Sequence, residues 1–94
     1  MSEKKITFTK HAREAVVKRE LDEKSIIDAV NAPDKLFLDR RTGRMVAVKR
    51  NGQALVVVYD VIDGEFEMIT AFRTSKPGKL IRRKLGKGYW VRVR

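Results

Sequence analysis

The residues of this chain that could do chemistry are few, and their types suit phosphate groups. His11 is the lone histidine. Imidazole titrates near neutrality, so His11 is either a surface group or a general acid or base. Arg73-Thr74-Ser75-Lys76 sets two cations and two hydroxyls at the end of an apolar run. A guanidinium can grip a phosphate bidentately while hydroxyls complete the oxygen contacts; the alternative is a polar strand terminus. Ser2, Ser25 and Ser75 offer hydroxyl nucleophiles without a surrounding motif. Tyr59 is either a core ring or a hydroxyl facing a cleft. With one histidine and no cysteine, a metal site is not expected, and neither a P-loop nor a glycine-rich dinucleotide fingerprint is present. No cofactor is expected.

The strongest chemical signal is charge. The chain has 94 residues, 22 basic and 12 acidic, for a net charge of +10. Nine of the basic residues and none of the acidic ones fall between Arg73 and Arg94: Arg73, Lys76, Lys79, Arg82, Arg83, Lys84, Lys87, Arg92 and Arg94. The rest of the chain is nearly neutral. A contiguous +9 segment with Tyr89 and Trp90 set into it reads as a strip for a polyanion. Neutralised phosphates supply most non-specific nucleic-acid affinity, and aromatics beside Arg or Lys stack on unpaired bases. RNA is the first candidate. A solvated basic tail and a strip for an acidic protein partner are the alternatives.

Composition narrows the setting. The length suits one domain over residues 1–94 with one modest core. No apolar run approaches the roughly 20 residues of a membrane span, and Met1-Ser2-Glu3-Lys4-Lys5 does not open a secretion signal. A cytoplasmic protein without a membrane partner is expected. High charge (36%) with few amides and no cysteine fits a hyperthermophilic source.

The elements that must position these groups follow from periodicity. Ile6-Thr7-Phe8 alternates as a short strand. Thr9 can cap a helix from Lys10 to about Glu20, with Ala12, Ala15 and Val16 as its stripe. Asp22 can cap a second helix, Glu23 to Asn31, which Pro33 ends. The period then changes to two, giving strands over Lys35–Asp39, Met45–Arg50, Ala54–Val61 and Glu65–Arg73. Asn51-Gly52 and Asp63-Gly64 are expected as two-residue hairpin turns. Ala54 to Val61 is apolar enough for a central strand buried on both faces. In the last strand, Phe66, Met68, Thr70 and Phe72 should share one face. Beyond Pro77-Gly78, Lys79 to Leu85 suits a short basic helix, and Tyr89 to Arg94 an edge strand. The expected fold is α+β: two N-terminal helices packed on one face of a four- to five-stranded, mainly antiparallel sheet, with a basic C-terminal extension.

An ordered set of short motifs carries a family resemblance. It runs through Lys10-His11-Ala12-Arg13-Glu14-Ala15-Val16, Arg19 to Lys24, Val30-Asn31-Ala32-Pro33-Asp34, Asp39 to Arg44, Val57-Val58-Tyr59 and Ile69 to Lys76. From about Ile6 to Lys84 the chain resembles the small domains related to the BrnT toxins, within the RelE/ParE toxin superfamily. The resemblance implies a compact sheet packed on N-terminal helices. It also implies action on RNA or the ribosome, with a partner antitoxin, since members of this group cleave messenger RNA without metal. Carried onto this chain, His11, Arg73, Lys76 and Tyr89 become the catalytic candidates. His11 or Tyr89 would move the proton, and Arg73 and Lys76 would stabilise the pentacoordinate phosphate. Lys79, Arg82, Arg83, Lys84, Lys87, Trp90, Arg92 and Arg94 become the RNA-binding candidates.

Two functions are thus expected: a toxin-like endoribonuclease, or a non-catalytic module that binds RNA or the ribosome. Double-stranded DNA ranks lower, because no helix-turn-helix is evident. For the non-catalytic module, removing Lys79 to Arg94 should abolish binding while the body stays folded.

Overall fold

Ala54 to Val57 and Tyr59 are all buried, so the strand that carries them has to be covered on both faces. The computed structural model, which describes residues 5–94, shows three layers that do so. In chain order the elements are β1 (Ile6–Phe8), α1 (Lys10–Lys18), α2 (Glu23–Asn31), β2 (Lys35–Asp39), β3 (Met45–Asn51), β4 (Gln53–Ile62), β5 (Glu65–Thr74), α3 (Pro77–Gly86) and β6 (Trp90–Arg92). The fold is α+β, with one sheet of six strands ordered β1-β5-β4-β3-β2-β6. The expected four or five strands are therefore exceeded, because both short terminal strands join the meander. β1 pairs parallel with β5 and β6 pairs antiparallel with β2.

The helices start where their caps allow. Thr9 Oγ1 accepts from the Ala12 amide at 3.0 Å, and Asp22 Oδ1 accepts from the Lys24 amide at 3.3 Å. On the face that α1 and α2 cover, Ala12, Ile26, Ala29 and Val30 pack with Ala47, Leu55, Val57, Tyr59, Met68 and Ala71. On the other face Ile81 of α3 joins Phe37, Val46, Val48, Ala54, Val56 and Trp90. The helical cover was expected on one face only; the +9 segment supplies the second layer. It is part of the core. Trp90 is buried and stacks on Phe37, with centroids 5.2 Å apart. The expectation that the body stays folded without Lys79 to Arg94 does not hold, because Phe37, Val46 and Val56 would be uncovered.

Two registers also depart from expectation. Asp63 (φ 51°) and Gly64 (φ 77°) both adopt left-handed backbone and close a two-residue turn pairing Ile62 with Glu65. The β3–β4 hairpin instead pairs Asn51 with Gln53 about Gly52, whose φ is 75°. A two-residue turn at Asn51-Gly52 would slip every partner by one and put Leu55 and Val57 on the opposite face from Ala47. Burial against α2 decides the register. In β5 the pairing passes from Val58↔Thr70 to Tyr59↔Met68, leaving Ile69 as a bulge. The bulge changes parity: Met68 and Ala71 face α1 and α2, whereas Phe72 joins the α3 side. Phe66, Met68, Thr70 and Phe72 therefore do not share one face.

Among the described residues no helix is long and apolar enough to cross a membrane. Ser2 and the rest of residues 1–4 lie outside the described residues.

Trp90→Ala should lower unfolding free energy by about 3–5 kcal/mol in a denaturant titration, the cost of emptying a large aromatic site. Burial pushes the Tyr59 hydroxyl above its ordinary 10.0, with Arg94 pulling weakly the other way. A raised folded-state value stabilises below the unfolded one and is lost as pH climbs past it. Melting temperature should thus fall more steeply above pH ~10 in the parent than in Tyr59→Phe.

Candidate nucleic-acid interface

α3 lies on the sheet by its apolar side. Ile81 is buried and Leu80 half-buried, while Lys79, Arg82 and Arg83 are exposed. Pro77 opens the helix at its first turn, where a missing amide hydrogen costs nothing. Arg73, Lys76, Lys79 and Arg83 line a groove of about 360 Å³ with Phe72, Thr74 and Leu80. Lys76, Lys79 and Arg83 are spaced for one helix face. Lys76, Lys79 and Arg83 therefore share one groove, with Arg73 at its border, and the lining includes no acid.

At the start of α3 two features do not serve stability, whereas Arg83 and Lys84 in its last turn suit the helix dipole. The first turn of α3 carries no acidic residue, and Lys76 at the cap position makes no side-chain capping bond. Cations there oppose the helix dipole. In addition, the ion pairs among the described residues are Arg41–Asp39, Arg44–Asp60 and Lys49–Asp28. None of the nine cations from Arg73 to Arg94 takes part.

A second cationic group gathers at the far end of α3. The Arg41 guanidinium lies 3.8 Å from the Tyr89 ring centroid, and the Lys84 and Lys87 ammonium groups lie 5.6 and 5.8 Å from it. The Arg40 amide donates to the Tyr89 carbonyl at 2.8 Å, which fixes the turn against the helix end. Arg41 was not singled out in the sequence. Its signal was the Arg40-Arg41 pair in the turn before β3, which the β2–β6 pairing brings beside Tyr89.

The catalytic candidates are brought together only in part: Arg73 and Lys76 line one groove, which neither His11 nor Tyr89 lines. His11 is exposed on α1, whose buried residues face the opposite side of the sheet from Ile81 of α3. Lys76 precedes α3 and Tyr89 follows it, so a helix of 10 residues, about 15 Å long, separates them. Arg73 follows the bulge onto the α1–α2 side, where Nη1 donates to the Glu20 carbonyl at 3.3 Å. Arg19 donates to the Ala71 carbonyl at 2.9 Å and to Thr70 Oγ1 at 3.0 Å. It caps the part of β5 that β1 does not reach. Ser25 Oγ donates to Asp22 Oδ2 at 3.1 Å and belongs to the α2 cap. Tyr59 is a core residue, tilted against Phe66 at 4.8 Å.

Of the RNA-binding candidates, Lys79, Arg82, Arg83, Lys87, Arg92 and Arg94 are exposed, and Lys84 is half-buried. Trp90 is the correction: expected as an exposed platform for a base, it is buried because β6 pairs with β2 and lays the indole on Phe37. Among the described residues, no cluster of three or more His, Cys, Asp or Glu side chains could hold a metal ion. No protein-family model, curated protein or solved structure matches the chain.

The unpaired, dipole-opposed cations give a direct check. Lys79→Glu should leave the protein as stable as the parent or up to about 1 kcal/mol more stable in urea unfolding, because an acid replaces a cation in the first turn of α3.

Proposed function

We propose that the protein binds RNA as a non-catalytic module, through the face formed by α3 and the turns at its two ends. The observation that carries this reading is the set of six cations from Lys76 to Lys87, on α3 and the turns at its ends, without ion pairs among the described residues and on a folded support. Clustered cations without ion pairs, two of them set against the dipole of α3, imply an anionic partner. A strand lying along α3 would meet the groove of Lys76, Lys79 and Arg83 first and the Tyr89 cluster last. The phenol ring beside Arg41, Lys84 and Lys87 suits an unpaired base with its phosphate. That feature favours single strands over a duplex, as does the position of the cationic helix α3 after strand β5 rather than after a helical partner. The resemblance to BrnT- and RelE-type domains supports RNA over other polyanions. It also leaves an acidic antitoxin as a proposed protein partner, and the cytoplasm as the proposed site of action.

The length of α3 between Lys76 and Tyr89, and the sheet between His11 and α3, support binding over cleavage. Binding to a single-stranded RNA oligomer, followed by fluorescence anisotropy over a salt series, should weaken steeply with salt. Lys79→Gln with Arg83→Gln should make the slope of log K against log salt shallower by about 1.4. His11→Ala should leave it unchanged. Salt-independent binding would refute the reading. So would cleavage of RNA, with or without ribosomes, that a 2′-deoxy substitution at the cut position prevents.

A further inference from the structure

A second groove lies on the opposite side of the sheet, between α2 and the β3–β4 hairpin, with a volume of about 310 Å³. Its assembly depends on the two irregular registers. The pairing of Asn51 with Gln53 puts Lys49, Asn51, Gln53 and Leu55 on one face. The bulge at Ile69 then brings Arg73, paired with Leu55, to that same face.

The lining is selective for its size. The chain has three side-chain amides, Asn31, Asn51 and Gln53, and two of them meet here. Asn31 Nδ2 donates to the Ile27 carbonyl at 3.0 Å; among the described residues neither Asn51 nor Gln53 spends its side-chain amide on a hydrogen bond. Leu55 adds an apolar wall. Lys49 is neutralised by Asp28 at 3.0 Å and donates to the Ala32 carbonyl at 3.0 Å, so it braces α2. Arg73 gives one donor to Glu20 and keeps the rest of its five N–H groups.

We infer that this groove binds an adenine nucleotide. A side-chain amide pairs bidentately with the N6 and N7 edge of adenine. An aliphatic wall packs against the base, and a guanidinium grips the phosphate. The volume falls at the small end of ligand pockets, where a mononucleotide unit fits. The nucleotide can come from two sources, free in solution or as one residue of an RNA strand. Arg73 also lines the α3 groove, so a strand held there can turn over the open edge of β5 into this one.

Side-chain amide resonances in a 15N–1H spectrum of the full chain provide the test. Added AMP should shift the Asn51 and Gln53 pairs saturably and leave Asn31 in place. If only an oligoadenylate produces those shifts, the source is the RNA strand; if AMP suffices, a free nucleotide is enough. Gln53→Ala, an exposed change, should abolish the response at Asn51 in either case, and UMP should bind about tenfold more weakly. Lys79→Glu should retain the AMP response while losing RNA affinity, so failure at either face is told apart from failure at the other. Absence of any shift at millimolar nucleotide, equal binding of UMP, or the same shifts with inorganic phosphate alone would overturn the inference.

Discussion

Trp90 rests on Phe37 with ring centroids 5.2 Å apart, and the second layer of the molecule depends on that contact. It holds β6 against β2 and, with Ile81, keeps α3 on the sheet. Without that layer, Val46, Val48 and Val56 would face water, and a central strand apolar on both sides would be half uncovered. The charge of the C-terminal segment is therefore carried by residues that alternate with core residues. Leu80, Ile81, Tyr89 and Trp90 turn inward, and the cations between them turn outward. A structural duty and an electrostatic one share one stretch of chain.

Much of the fold was legible because the local signals agreed. Thr9 and Asp22 mark helix starts by cap chemistry, and Glu23–Asn31 and Lys35–Asp39 fall where stripe and alternation place them. Asp63-Gly64 closed the turn its residues demand, since both adopt positive φ. Asn51-Gly52 has similar local chemistry and did not, because the burial of Ala47, Leu55 and Val57 against α2 outweighed the turn preference. The bulge at Ile69 has no local sequence mark at all, for it answers to pairing with β4. Charge asymmetry was equally plain in the sequence, whereas its support was not. A basic segment with scattered apolar residues looks the same as a tail until a sheet face is found for it.

The candidate site divides along the same line. Lys76, Lys79 and Arg83 could be grouped from helical spacing alone. Arg41 could not, because a turn far away in sequence is brought to Tyr89 by strand pairing. His11, drawn in by the chemistry of imidazole, belongs to a helix on the other side of the sheet. Parity places Arg73 more than its neighbours do: one additional residue in β5 moves its guanidinium to the face of Glu20 and Asn51.

The placement of β1 and β6 has a kinetic side. The meander from β2 to β5 closes through short turns, so its pairing entropy is small. Each edge of the sheet instead joins distant stretches: Ile6–Phe8 must find Phe66–Met68, and Trp90–Arg92 must find Phe37–Asp39. Such non-local closures slow folding. The cationic layer therefore rests on a closure of large sequence separation, and the apolar face of Phe37, Val46 and Val56 is open to self-association in any state that lacks it.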